Sequence, residues 1–269
     1  CATGTQALVS GAQSILTGHS DCVLVGGVDS LSRPPITYKT AVIDALMQAN
    51  SAKGTWSKLK AFSGLRPSDL LPKPPGLVEL STGLSMGQSA EKMATANDVS
   101  RQAQDNFAVA SHRKASEAWQ KKITQDEVMQ VRVTQSHSKR VSQDSYLRPD
   151  TSNEALAKLR PVFDRQHGTV TAGNSSGLTD GASALVLMSE EKAKALGYTP
   201  WAYIKTWAFA ACDPDWQLLM GPSFAVPKAL DKVGMSLDDM DLIDIHEAFS
   251  AQVISNLQAW SSLEFAKTH

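Results

Sequence analysis

The sequence predicts an α/β fold, because apolar runs of strand length alternate with helical patterns near both ends of the chain. Residues 22–28 form one continuous apolar run after a helical pattern, and residues 184–188 form a second run before another. Both runs predict strands that are buried. Such alternation is typical of a layered α/β protein. Between the two runs, helical patterns separated by polar and proline-containing connections predict an inserted, largely helical domain.

The elements on the N-terminal side follow from spacing and capping. Leu8, Ala12 and Ile15 fall on one face of a helix whose first turn lies at or just after Cys1. In the inserted segment, Ser100 is a predicted N-cap. The apolar positions of that helix recur at helical spacing and are Ala103, Phe107, Ala110, Ala118 and Trp119.

The C-terminal third shows strand and helix patterns in alternation. Residues 189–197 predict a helix that begins after Ser189 and ends at Gly197. Strands are then predicted over 202–208 and 242–245, and helices over 223–233 and 249–260. The α/β order therefore returns after the inserted segment.

Composition limits the classes of protein to which the chain can belong. At 269 residues it is long enough to bury a sizeable core, and 26 basic against 27 acidic residues leave a net charge of −1. That balance gives no general attraction to nucleic acid or to an anionic membrane. The three cysteines are too few and too scattered for a disulfide framework or a zinc site, so we expect a reducing compartment and no metal. No apolar run reaches the roughly 18 to 20 residues that a membrane-spanning helix needs.

The most informative stretch is the glycine-rich run GTVTAGNSSGLTDGASAL at residues 168–185. Its glycines permit backbone angles closed to other residues, and Asn174, Ser175, Ser176 and Thr179 offer hydrogen bonds without bulk. The run therefore predicts a loop that holds a ligand against its backbone. An ordinary structural loop is the alternative.

Cys1 is the candidate nucleophile. At a helix N-terminus, the macrodipole and the free backbone N–H groups favour the thiolate form of a cysteine. The small residues at 2–4 leave space for a carbonyl substrate. The alternative is a cysteine that serves only as a small buried hydrophobe, and we interpret Cys22 and Cys212 in that structural way.

Three segments in this order resemble the thiolase family: CATGTQA at residues 1–7, the glycine-rich run, and IHEAF at residues 245–249. The His-Glu-Ala-Phe form is similar to that in the thiolase subunit of bacterial fatty-acid oxidation complexes and in the beta subunit of the mitochondrial trifunctional protein. A fourth segment, TGLSMGQSAE at residues 82–91, resembles the family's substrate-lining segment. The resemblance covers nearly the whole chain and implies a thiolase-like layered α-β-α-β-α fold.

The resemblance also implies roles for individual residues. Cys1 would attack the 3-keto carbon of a 3-ketoacyl-CoA and hold the acyl group until CoA accepts it. His246 would donate a hydrogen bond to oxygen that gains negative charge, although a structural role is the alternative for this residue. The residues implied in substrate and CoA binding are Met86, Ala172, Ser176, Leu178, Ala248 and Phe249. Because CoA is itself a substrate, the resemblance implies no separate cofactor.

Domain limits, partners and location follow from the same resemblance. The N-terminal thiolase domain is expected over 1–32 and 177–197, with the inserted loop domain over 33–176 and part of the C-terminal domain over 198–269. The expected partners are 3-ketoacyl-CoA, CoA, a second copy in a homodimer and the hydratase/dehydrogenase subunit of a β-oxidation complex, with no nucleic acid. The bacterial cytoplasm is the expected location, and the mitochondrion is the alternative.

Two features depart from the family pattern. Ser85 stands where some relatives carry a CoA-contacting histidine, which leaves that contact in doubt. The family's Gly-His-Pro element and its later catalytic cysteine do not occur among the 269 residues. Because the chain also begins with Cys1 instead of methionine and stops within a helical pattern, we expect a piece of a longer protein, truncated at both ends, which by itself has poor thiolase activity or none.

Residues 53–73 mix basic and apolar side chains. The basic ones are Lys53, Lys58, Lys60, Arg66 and Lys73, and the apolar ones are Trp56, Leu59, Phe62, Leu65, Leu70 and Leu71. This mixture suits peripheral contact with a membrane surface, with a partner subunit or with the CoA phosphates. A solvated face over local core is the alternative.

Two other functional classes stay open at this stage. A non-catalytic CoA-binding or assembly fragment would keep the loop and the pocket walls without the general base. An N-terminal-nucleophile hydrolase would use both the thiol and the α-amine of Cys1. That chemistry places the nucleophile on a leading strand, whereas a helical pattern begins here almost at once.

Overall fold

A computed structural model describes residues 2–72, 76–133 and 140–268. The helices are α1 (Thr3–Leu16), α2 (Thr40–Ser51), α3 (Thr55–Lys60), α4 (Met86–Ala96), α5 (Arg101–Gln120), α6 (Asn153–Ala157), α7 (Glu190–Ala195), α8 (Pro214–Gln217), α9 (Gly221–Asp231), α10 (Ser250–Trp260) and α11 (Leu263–Thr268). The strands are β1 (Cys22–Ser30), β2 (Val131–Arg132), β3 (Arg140–Val141) and β4 (Asp180–Met188). Cys1 and Lys73, both named above, lie outside the described residues.

Contacts along the chain separate two compact units. The first unit takes in the described residues up to Leu77 together with Leu178–Thr199. The second takes in those of Val78–Gly177 and of 200–268. Strands β1 and β4 therefore belong to the first unit, whereas most of the glycine-rich run and the segment around His246 belong to the second. The domain limits derived from the sequence stay predictions.

An antiparallel pair of strands forms the centre of the first unit. β1 and β4 pair along their whole length, with Cys22 opposite Met188. Helix α1 lies against this sheet so closely that a Cβ added to Gly11 would stand 2.6 Å from Cγ1 of Val25. The absence of a side chain at Gly11 thus lets α1 pack directly on the strands.

The first helix and both apolar strands are confirmed, but the predicted burial of the strands is wrong. Leu24 is 72% exposed, its partner Val186 on β4 is 60% exposed, and the Cys22 side chain is exposed as well. Helix α1 is the described element that packs on β1 and β4, and one helix covers only one face of a sheet. Apolar side chains on the other face stay exposed for that reason.

Helix α10 forms the centre of the second unit. Ala251 of α10 and Ala90 of α4 are both fully buried, since small side chains let two helices approach closely. Ala94, Val99 and Val170 join them in one apolar cluster. Val170 belongs to the glycine-rich run, so part of that run is core rather than surface.

Asn256 fixes the position of α10. Its side chain is fully buried, and Oδ1 accepts hydrogen bonds from the backbone N–H and the hydroxyl of Ser223, at 3.0 and 2.7 Å. Its Nδ2 donates to the carbonyls of Leu219 and Gln252. With donors and acceptor all paired, this buried amide ties α10 to the start of α9.

The structure confirms the later helices and contradicts two strands. The predicted helices correspond to α5, α7, α9 and α10; Ser100 caps α5 by accepting from the N–H of Ala103, and Gly197 ends α7 at a φ of +74°. Residues 202–208 and 242–245 do not form strands. A strand needs a neighbour with which to exchange backbone hydrogen bonds, and no described strand pairs with either segment.

The mixed basic and apolar stretch lies in the first unit. It contains the short helix α3, where Trp56 is 81% exposed and Leu59 is 61% exposed. The described part of the chain contains no helix that is long and apolar enough to cross a membrane. Contact of this stretch with a membrane surface stays a prediction.

Candidate functional site

A capping box sets the start of helix α4, where Met86 is the first helical residue. The Ser85 hydroxyl accepts from the N–H of Gln88 at 3.3 Å, and the Gln88 side-chain oxygen accepts from the N–H of Ser85 at 2.9 Å. These reciprocal bonds satisfy backbone groups that a helix N-terminus otherwise leaves free. Met86 is therefore held at a fixed point, with a half-buried side chain.

Glu91 of α4 anchors the beginning of the glycine-rich loop. One carboxylate oxygen accepts from the N–H and the hydroxyl of Thr169, at 2.6 and 2.8 Å, and the other accepts from the N–H of Val170 at 2.9 Å. Glu91 is only 8% exposed, so these three donors replace the water that would otherwise solvate the carboxylate. The start of the loop is thus hydrogen-bonded to a helix residue about eighty positions earlier in the chain.

The Asn174 side chain holds the loop together by hydrogen bonds to residues within it and to helix α5. Its Oδ1 accepts from the N–H of Thr171 at 2.8 Å, and its Nδ2 donates to Asp105 Oδ1 at 2.9 Å and to the Thr169 carbonyl at 3.2 Å. Asp105 in turn pairs with Arg101 on the same helix, α5, at 2.8 Å. Asn174 is 2% exposed, so the loop is rigid around a satisfied buried amide.

A short backbone pairing joins this loop to the segment that precedes α10. Ser175 and Phe249 form an antiparallel bridge, and the N–H of Ser176 donates to the carbonyl of Ala248 at 2.8 Å. The N–H of Ser250 donates to the carbonyl of Asn174 at 3.0 Å. The structure therefore brings together three of the residues predicted to bind substrate or CoA: Ser176, Ala248 and Phe249.

Phe163 connects this pairing to the start of α4. Its ring meets the Phe249 ring edge-on with centroids 6.1 Å apart. A Cβ added to Gly87 would stand 1.9 Å from the Phe163 ring, so the ring lies directly on the backbone next to Met86. Phe163 thus contacts both the Phe249 ring and the backbone of the residue that follows Met86.

His246 is exposed, and the next residue, Glu247, contacts a polar cluster on α5. The Ser111 hydroxyl donates to Glu247 Oε2 at 2.5 Å. The neighbouring His112 accepts from the backbone N–H of Arg148 at 3.4 Å. Burial lowers the pKa of His112 below its ordinary value, repulsion from the Arg148 guanidinium lowers it further, and attraction to Glu247 opposes both.

The remaining predicted residues are distributed as follows. Ala172 is exposed on the loop of the second unit. Leu178 is 66% exposed and belongs to the first unit, and Cys1 lies outside the described residues. The roles of all these residues stay predictions. Among the described residues, no group of three or more His, Cys, Asp or Glu side chains is placed to hold a metal ion.

Sequence reasoning missed the residues that hold the site in place, chiefly Glu91, Asp105, Ser111 and Phe163. A signal was present for Glu91, because a carboxylate on the same helical face as the apolar Ala94 cannot be buried without donors. Nothing local to Ser111 or Phe163 marks them, since their contacts come from residues 136 and 86 positions away.

Comparison with known proteins confirms the family resemblance noted in the sequence. The chain matches the thiolase N-terminal domain over residues 1–191 and the thiolase C-terminal domain over residues 198–266. It is 49% identical over 267 residues to a 3-ketoacyl-CoA thiolase of Shewanella sp. (strain W3-18-1). The aligned region covers 99% of this chain and 61% of that protein.

Solved structures give the same result. The human mitochondrial 3-ketoacyl-CoA thiolase superposes with a TM-score of 0.81 at 32% identity, covering 97% of this chain and 62% of that one. The same human enzyme in complex with CoA gives a TM-score of 0.80 at 31% identity, covering 97% and 61%. The chain therefore spans about three-fifths of the length of the relatives that it matches, and its fold is the α/β fold of those proteins. On the strength of two family domains that together extend over residues 1–191 and 198–266, this chain belongs to the thiolase family.

Proposed function

We propose that the protein is a 3-ketoacyl-CoA thiolase, which cleaves 3-ketoacyl-CoA with CoA through a cysteine acyl-enzyme. The observation that carries this proposal is the rigid pairing of the loop at Ser175–Ser176 with Ala248–Phe249. It occurs in a chain 49% identical to a 3-ketoacyl-CoA thiolase. A related structure holds CoA, which supports CoA as the second substrate.

Cys1 is the proposed nucleophile. Helix α1 begins two residues later, at Thr3, and free N–H groups at a helix N-terminus favour a thiolate. The thiolate attacks the 3-keto carbon, the bond between C2 and C3 breaks, and acetyl-CoA leaves as its enolate, which then takes up a proton. The thiol of free CoA attacks the resulting thioester, restores Cys1 and releases an acyl-CoA shortened by two carbons.

His246 is the proposed donor to an oxygen that gains negative charge during these steps. Its exposed side chain is free to face a ligand, and the next residues are fixed by the backbone pairing with the loop. A donor that is already in place when charge develops lowers the barrier more than it strengthens ground-state binding. Ser176 and Phe249 would meet the pantetheine arm and the acyl chain.

The test uses the natural full-length protein, a 3-ketoacyl-CoA and CoA. We expect acetyl-CoA and a shortened acyl-CoA in equal amounts, and mass spectrometry should find the acyl group on Cys1 when CoA is withheld. Cys1→Ser should lower kcat on the order of 10⁶-fold, as loss of a catalytic nucleophile does in other enzymes. His246→Ala should lower kcat about 10²-fold, the usual effect of losing one such donor.

Cys22→Ser is the matched control, because Cys22 is a free and exposed cysteine on β1. It should leave kcat unchanged. Acylation at a residue other than Cys1, or full activity in Cys1→Ser, would refute the proposed mechanism. CoA binding without any cleavage would instead favour a non-catalytic binding protein.

A further inference from the structure

Glu247 connects the proposed catalytic segment to helix α5. It follows His246 directly, and its carboxylate accepts a hydrogen bond from the Ser111 hydroxyl at 2.5 Å. A hydrogen bond to an ionised acceptor is stronger and shorter than one between neutral groups. The segment that carries His246 is therefore attached to α5 by a side-chain contact as well as by the chain itself.

Helix α5 is anchored by buried polar side chains. Gln104 is fully buried and donates to the Val99 carbonyl at 3.1 Å and to the Thr169 hydroxyl at 2.9 Å. Asp105 is 3% exposed and accepts from the buried Asn174 of the glycine-rich loop. The same helix thus fixes the loop from its first two turns.

The spacing on α5 places both attachments on one face. Gln104 and Ser111 are seven residues apart, which is about two helical turns and roughly 10 Å along the axis. Ala108 lies between them and is buried. One rigid helix therefore contacts the loop at one point and the His246 segment two turns later.

The Ser111 contact matters because the described residues make few other contacts that restrain the chain just before His246. Residues 242–245 pair with no described strand, and Leu242 is 86% exposed. The backbone bonds to the loop begin at Ala248, after His246. The bond from Ser111 to Glu247 is therefore the contact closest to His246 that ties this stretch to a helix.

We propose that Ser111 is a positioning residue, which sets the place of His246 by holding Glu247 against α5. The inference rests on the proposed function, since it assigns to Ser111 an effect on catalysis through His246. Ser111 itself contacts neither substrate nor CoA in this proposal. Its loss should therefore affect the step in which His246 donates to the charged oxygen, and should leave substrate binding nearly intact.

The experiment compares Ser111→Ala with Ser116→Ala in the natural full-length protein. Ser116 lies on the same helix and donates to the carbonyl of His112 within that helix, so it is a matched serine without the contact to Glu247. We expect Ser111→Ala to lower kcat about three- to tenfold, the value of one hydrogen bond, and to change KM by less than about twofold. Ser116→Ala should change neither by more than about twofold.

Two further variants separate positioning from mere folding. Ser111→Thr keeps the hydroxyl and should restore kcat to within about twofold of the wild type. If Ser111 acts through Glu247, the combined variant Ser111→Ala with Glu247→Ala should have the same kcat as Glu247→Ala alone, because Glu247→Ala removes the acceptor and the shared contact can be lost only once.

Several outcomes overturn the inference. They are equal kcat values in Ser111→Ala and Ser116→Ala, a change confined to KM, or multiplicative losses in the combined variant. If Ser111→Ala does not fold, Ser111→Cys takes its place, since its thiol has a similar size and donates weakly; unchanged kcat there also overturns the inference. A wild-type protein without thiolytic activity refutes the proposed function first, and the role of Ser111 with it.

Discussion

Replacement of Glu91 by glutamine should destabilise the second unit, although the two side chains have nearly the same size. The carboxylate accepts three hydrogen bonds from Thr169 and Val170, and Glu91 is 8% exposed. A glutamine side chain has one acceptor oxygen, which can still serve Thr169, but its NH₂ group would face the N–H of Val170. Val170 is fully buried, so that N–H would lose its partner without gaining water.

The magnitude follows from one orphaned buried donor. Such a group costs about 1–3 kcal/mol, and for a protein of this size 1 kcal/mol corresponds to roughly 2–4 °C in Tm. A cost of about 2 kcal/mol should therefore lower the Tm of Glu91→Gln by roughly 4–8 °C. Glu91→Ala should fall further, because it leaves all three donors without the carboxylate.

Thermal and urea unfolding followed by circular dichroism measure this effect in the 269-residue chain, the size for which the Tm shift is given. Glu117→Gln is the matched control: Glu117 lies on α5, and its pair with Lys121 is long, at 3.8 Å, and solvent-exposed. An exposed pair contributes little, so this control should change the Tm by no more than about 2 °C. Equal Tm values for Glu91→Gln and Glu117→Gln would show that the buried carboxylate does not hold the loop.

Two further predictions concern packing and thiol chemistry. Gly87→Ala should lower the free energy of unfolding by about 1–3 kcal/mol, because the added Cβ would clash with the Phe163 ring. The double variant Gly87→Ala with Phe163→Leu should recover part of this loss, because leucine is smaller. A raised Tm for Gly87→Ala alone would contradict the packing argument. Burial raises the pKa of the Cys212 thiol, so iodoacetamide should label Cys212 more slowly than the exposed Cys22 at pH 8, with a rate that still increases above about pH 9. Peptide mass spectrometry measures both cysteines in one sample, and equal labelling rates at pH 8 would count against burial of Cys212.

The elements that the sequence predicted correctly depend on interactions between residues close together in the chain. The N-cap at Ser100 and the end of α7 at Gly197 depend on side-chain oxygens and backbone angles within a few residues. The apolar strands 22–28 and 184–188 were recognisable because their patterns are continuous and of strand length. The strands predicted over 202–208 and 242–245 failed because a strand depends on a partner, which no local pattern can supply.

For the candidate site too, some features follow from the sequence and others only from the tertiary structure. By itself, the sequence determined the identity of the chemical groups, namely the thiol of Cys1, the imidazole of His246 and the small polar loop around Ser176, and the order in which they occur. Only the tertiary structure decided that Ser176 lies against Ala248, that Glu91 carries the loop and that Ser111 reaches Glu247. These contacts join residues about 70 to 140 positions apart, and such pairings arise from the packing of whole helices around buried polar groups, which no short stretch of sequence encodes.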